Sequence, residues 1–226
     1  MNMIFSNKIA KHDFFDTAVA DILRAIDGGS LMGSIILSMC CIDYMGLAMN
    51  PEKKNTKSDF KNFITEHMSQ ANTIYSDPDI ADVLYAVRNS LIHSYGKSDA
   101  TENLKLDFVI DQNRFENHLA VVTSGNRRCF YLYLPHFVAE LIAGVEHFFR
   151  KSAITQASLH KWYSNLLLVL GVSGSSYRFD VEITPGNIHS RSHRFLEVLD
   201  NPNPLSIESL RENISLLIRK QLNPEV

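Results

Sequence analysis

Apolar positions recur at helical spacing through most of the chain, and switch to alternation in its middle and again near residue 180. Phe14, Ala18, Ile22 and Ala25 fall three to four residues apart, which predicts a helix from Asp13 to Ile26. Gly28-Gly29 ends it, and Ser30 then stands as the N-cap of a strongly apolar helix over 31–48, closed by Asn50-Pro51. Ser58 or Asp59 opens a short helix holding Phe60, Phe63, Ile64 and Met68. Asp77-Pro78 places an Asp at an N-cap and a Pro at the first helical position, and that helix runs to about Tyr95.

The period then becomes two. Leu104, Leu106, Phe108 and Ile110 alternate with Lys105, Asp107 and Asp111, and strands are expected again at 118–123 and 128–134 around a Ser124-Gly125-Asn126 turn. Helices follow at 136–151 and 155–170, then an alternating stretch at Tyr177, Phe179, Val181 and Ile183, and a last helix from Ser206 to Leu222. The pattern is mainly α, with a small antiparallel β element and a C-terminal α/β extension. Residues 1–151 make a helical domain with a β insert, and 152–226 an extension that can pack on the same domain.

Composition narrows the function classes. In 226 residues, 45% are hydrophobic and 21% charged, enough apolar surface to offset chain entropy and exclude wholesale disorder. A net charge of −3 excludes a general nucleic-acid coat but leaves room for a local basic patch. Cys40 and Cys41 are adjacent, Cys129 is remote, and no C-x-x-C occurs. That argues against a disulfide framework or a zinc site, and for a reducing, cytoplasmic setting without metal or cofactor. The N-terminal segment lacks the apolar core of a signal peptide. Leu31 to Met49 approaches transmembrane length, but Asp43 sits within it. A central Asp costs ~2.5–3.5 kcal/mol in a bilayer, so a helix buried in a bundle is expected and no membrane span. A buried Asp43 needs a partner, and Arg88 or Tyr95 would serve.

The segment from Asp77 to Gly96 carries the chemistry. On a helical wheel Ile80, Val83, Leu84, Val87 and Leu91 form the core stripe. Tyr85, Arg88, Asn89 and His93 lie roughly opposite, with Ile92 among them and Tyr95 close to Arg88. Such a mixture of aromatic, aliphatic and ionisable side chains suits a face that meets a second copy of the chain. Arg88 and His93 are about 140° apart, so one helix does not aim both at one point, whereas two helices about a twofold axis can. Arginine binds phosphate and stabilises charge developing on it, and histidine near neutral pKa exchanges protons with the ribose 2′-hydroxyl or the leaving oxygen.

Arg88-Asn89-x-x-x-His93 resembles the arginine–polar–x3–histidine form of the R-x4-6-H motif of the HEPN superfamily, and the longer phrase LYAVRNSLIHSYG is similar to the same region of bacterial HEPN-like proteins. The apolar SIILSMCCIDYMG helix upstream and the short Phe60/Phe63 helix agree with it. The resemblance implies a helical bundle that forms a homodimer through the Tyr85–Tyr95 helix face. It implies a metal-independent endoribonuclease, a toxin or abortive-infection effector with a neutralising antitoxin protein, in which Arg88, Asn89 and His93 are catalytic. It equally admits a non-catalytic dimeric interaction module of a stress or defence system. Tyr85, Tyr95, Arg127, Arg128, His189, Arg191, His193 and Arg194 are the further candidates for RNA contact. His189 and His193 have no identifiable third partner for a metal.

Overall fold

The computed structural model describes residues 18–50, 57–94, 106–111, 114–151 and 206–222, and for His93, Ser94 and Ser124 the backbone alone. Within these, α1 (Ala20–Asp27), α2 (Leu31–Met49), α3 (Lys57–Glu66), α4 (Pro78–Ser94), α5 (Leu134–Lys151) and α6 (Ile207–Leu222) surround one apolar core. A sheet of β1 (Asp107–Asp111), β2 (Val121–Ser124) and β3 (Arg127–Tyr133) lies between α4 and α5 in sequence. The protein is mainly α with a small β element, as its periodicity predicts. The expected helix at 155–170, the alternating stretch at 177–183 and the loop at 189–194 lie outside the described residues.

Most helix ends match the local chemistry. Gly28 caps α1 and Gly29 turns the chain at φ +76°, a conformation glycine enters without a Cβ penalty. Asp77 accepts a hydrogen bond from Asp79 N at 2.9 Å, so the Asp-Pro start of α4 is a true N-cap. Ser30 occupies the N-cap of α2 without a side-chain capping bond.

The apolar α2 is long enough to cross a membrane by length and composition. In this fold it buries Ile35, Met39, Ile42 and Met45, and packs chiefly against α1 and α3, with α5 and α4 also in contact. Glycine permits two close approaches: a Cβ on Gly46 would meet the Asp59 backbone at 2.7 Å, and one on Gly144 would meet Met68. α5 buries its expected stripe of Phe137, Leu141, Val145 and Phe148. α6 returns from the far end of the chain and lies along α5, touching α1 as well, with Leu210, Ile214 and Ile218 inward. So the end of the 152–226 segment helps to close the same core.

The sheet differs from the expected all-antiparallel element. β2 and β3 form the antiparallel hairpin, but β1 pairs parallel to β3 on its other edge, giving the order β1-β3-β2. Alternation reports that a strand is half-buried and carries no direction, so the orientation of β1 was not legible. β2 also starts three residues later than the apolar pattern suggests. Leu119 takes φ 59°, which costs an L-residue roughly 1–2 kcal/mol, and its N–H bonds Tyr131 O at 2.8 Å. This kink turns His118 into the interior instead of onto a strand.

Candidate functional site

α4 crosses α3 and touches α2, and that crossing fixes Arg88. Asp43 lies on α2 with its side chain 16% exposed, so its carboxylate needs a counter-charge. Arg88 supplies it. Nε donates to Asp43 Oδ2 at 2.6 Å, and Nη2 lies 2.6 Å from the same oxygen. Nη1 donates to Asn89 Oδ1 at 2.9 Å. A guanidinium has five N–H donors, and two of them, one on each terminal nitrogen, remain uncommitted within the described residues. The Tyr85 ring supports the same group from 6.0 Å and stands edge-on to Phe60 at 5.4 Å.

Arg88 and Tyr85 therefore depart from an outward-turned face. Both lean onto neighbouring helices, because Asp43 draws the guanidinium and Phe60 packs the ring. Leu84, Val87 and Leu91 of the expected core stripe are buried, while Ile80 and Val83 are only partly covered. Asn89 is half-buried beside Arg88, and His93 follows it by one helical turn on the same row of α4.

Desolvation raises the pKa of Cys40 on α2, Asp43 adds to that, and Arg88 only partly opposes it. Arg127 and Arg128 are exposed at the start of β3, on a different element from Arg88. Tyr95, His189, Arg191, His193 and Arg194 lie outside the described residues.

A second polar centre was not visible in the sequence reading. Glu140, in the middle of α5, is fully buried and receives four donors. Asn72 Nδ2 (3.1 Å) and Arg211 of α6 bond Oε1, and Tyr75 Oη (2.7 Å) and His118 Nε2 (2.8 Å) bond Oε2. The Tyr133 backbone N–H donates to His118 Nδ1 at 3.1 Å, so Nδ1 is the acceptor and Nε2 carries the proton. Burial pushes the Glu140 carboxyl up, but the bonds from His118, Tyr75 and Arg211 outweigh it and hold its pKa below the usual range. With both ring nitrogens committed, His118 has no site at which to exchange a proton with a substrate. This centre joins four distant stretches of chain. Its signal was a lone Glu on the same turn as Phe137 and Leu141.

A third cluster pairs His67 and His147 through Nδ1 atoms 3.0 Å apart, with His67 between Phe63 and Phe148. Burial lowers the His67 pKa to about 4, and His147 and Lys151 push the same way. No group of three His, Cys, Asp or Glu side chains suited to a metal occurs among the described residues. No family model, curated protein or solved structure matches the chain.

Proposed function

We propose that the chain is a HEPN-type, metal-independent endoribonuclease acting as a homodimer, with Arg88 as the phosphate ligand, His93 as the acid/base and Asn89 assisting. The observation that carries this reading is the Arg88 guanidinium. It is clamped by Asp43 and Asn89 in one pose, yet keeps two N–H donors uncommitted among the described residues, and its partner Asn89 shares a row of α4 with His93. A preset donor pair suits charge that develops on phosphate during transfer.

In the proposed reaction an imidazole takes the 2′-hydroxyl proton, and the 2′ oxygen bonds the adjacent phosphorus. The P–O5′ bond breaks, and O5′ receives a proton from a second, protonated imidazole supplied by the twofold-related copy. The products are a 2′,3′-cyclic phosphate and a 5′-hydroxyl. A toxin or abortive-infection role in the cytoplasm, held in check by a neutralising protein, belongs to the same reading.

One observation favours the non-catalytic dimeric module instead. Asp43 cancels the charge of Arg88 at the place where phosphate would bind. Incubation of the protein with total RNA in EDTA separates the two. The nuclease reading expects fragments with cyclic phosphate ends; intact RNA after prolonged incubation would leave the module.

A further inference from the structure

Beside the Arg88 cluster, α3 and α4 meet through a group that the proposed reaction does not use. Lys57 Nζ lies 2.6 Å from Asp82 Oδ1, and Lys61 Nζ lies 2.7 Å from Asp82 Oδ2. Two ammonium groups on one carboxylate leave an excess positive charge at this spot, although the chain as a whole carries −3. The two lysines hold the Asp82 carboxyl below its ordinary pKa, so it stays ionised and offsets one of the two ammonium charges.

The same lysine reaches towards the candidate site. Lys57 Nζ sits 5.7 Å from the centre of the Tyr85 ring, whose other close cation is Arg88 at 6.0 Å. Lys57 and Arg88 thus share the Tyr85 ring as a common neighbour. Along α4, Asp82, Asn89 and His93 fall within about 20° of one row, over ~16 Å of helix. The lysine pair and the Arg88–Asn89 group therefore sit at successive positions along one edge of the α3–α4 pair. Surface ion pairs contribute little to stability, so a doubled lysine on one Asp gains the fold little.

We propose that Lys57 and Lys61 form a phosphate-binding extension of the Arg88 site, holding the backbone of single-stranded RNA next to the residue pair that would cleave it. The inference rests on the nuclease reading for its substrate class. Tyr85 is braced edge-on by Phe60 and has both cations within 6.0 Å of its ring centre. Binding at this extension accordingly reads phosphate and not sequence.

The test uses the full chain and a short 2′-O-methyl oligouridine, which has no 2′-hydroxyl to react, with fluorescence anisotropy across a salt series. The double variant Lys57→Gln/Lys61→Gln is expected to lower the slope of log affinity against log salt by about 1.4, from about 0.7 per phosphate contact on a single strand. It should weaken oligouridine and oligoadenosine equally. Lys220→Gln, exposed at the far end of α6, serves as the remote-charge control and should leave the slope unchanged. A slope unaltered in the double variant, a loss equal to that of Lys220→Gln, or no binding by the wild type would overturn the proposal. Thermal melting of the double variant at the wild-type temperature keeps a folding defect from imitating the result. Because the probe cannot be cleaved, a wild type that fails to cut RNA would remove the nuclease reading and leave this measurement standing.

Discussion

The Glu140 centre and the Arg88 centre are both charged clusters tied to helices, and they differ in what they leave undone. Glu140 has no exposed surface and receives four donors, and the histidine beside it has both nitrogens committed. Arg88 is partly exposed and, among the described residues, uses three of its five donors. The Glu140 carboxylate is saturated with donors, although Arg211 Nε finds no partner among the described residues, whereas at the other centre it is the carboxylate's own partner, Arg88, that keeps spare donors beside Asn89.

Breaking the saturated centre should have the largest effect. Arg211→Ala leaves Glu140 buried with its main counter-charge gone, which is expected to cost about 3–5 kcal/mol. Chemical denaturation would show it, and α6, held otherwise by Leu210, Ile214 and Ile218, should lose protection from amide exchange first. Glu140→Gln together with Arg211→Met should recover much of that loss, since no unpaired charge remains.

Acid should act next, through His67. Its folded pKa of about 4 lies below the ordinary value of 6.5, so the unfolded chain binds the proton first. Its contribution is intact above about pH 6.5 and is lost as pH falls towards 4, on the order of 1–3 kcal/mol. The downward shift of His147 adds to the same window. Glu140 acts lower, because a carboxyl with a lowered pKa keeps its contribution until pH falls below the ordinary carboxylate range. His67→Phe should flatten the upper part of the stability profile measured by melts across pH.

The smallest effect is expected at the unsaturated centre. Asp43→Asn should cost about 2 kcal/mol or less. It also uncovers the Arg88 charge, which should steepen the salt dependence of single-stranded RNA binding by about 0.7. An unchanged slope would mean that Arg88 does not meet phosphate.

What the sequence disclosed follows the same division. The positions of α4, α5 and α6 were legible because each carries a helix-period apolar stripe and, in α4, an Asp-Pro start, whereas α2 is apolar on nearly every side and was placed by its length between Ser30 and Asn50-Pro51. The need of Asp43 for a partner was legible too, since a lone acid in an apolar helix has few options, and Arg88 proved to be that partner. The Glu140 centre was hidden because Asn72, His118 and Arg211 come from stretches far apart in the chain, and ordinary polar residues at such distances show no periodicity. The lysine pair was hidden for a related reason: Lys57, Lys61 and Asp82 look like any solvated charges until α3 and α4 are packed together.

Whether Arg88 and His93 cut RNA is decided by incubating RNA in EDTA with the wild type beside Arg88→Ala and His93→Ala, with melts to show that all three are folded. Cleavage by the wild type and none by either folded variant is expected. Cutting that persists in both variants would rule out this pair as the nuclease site.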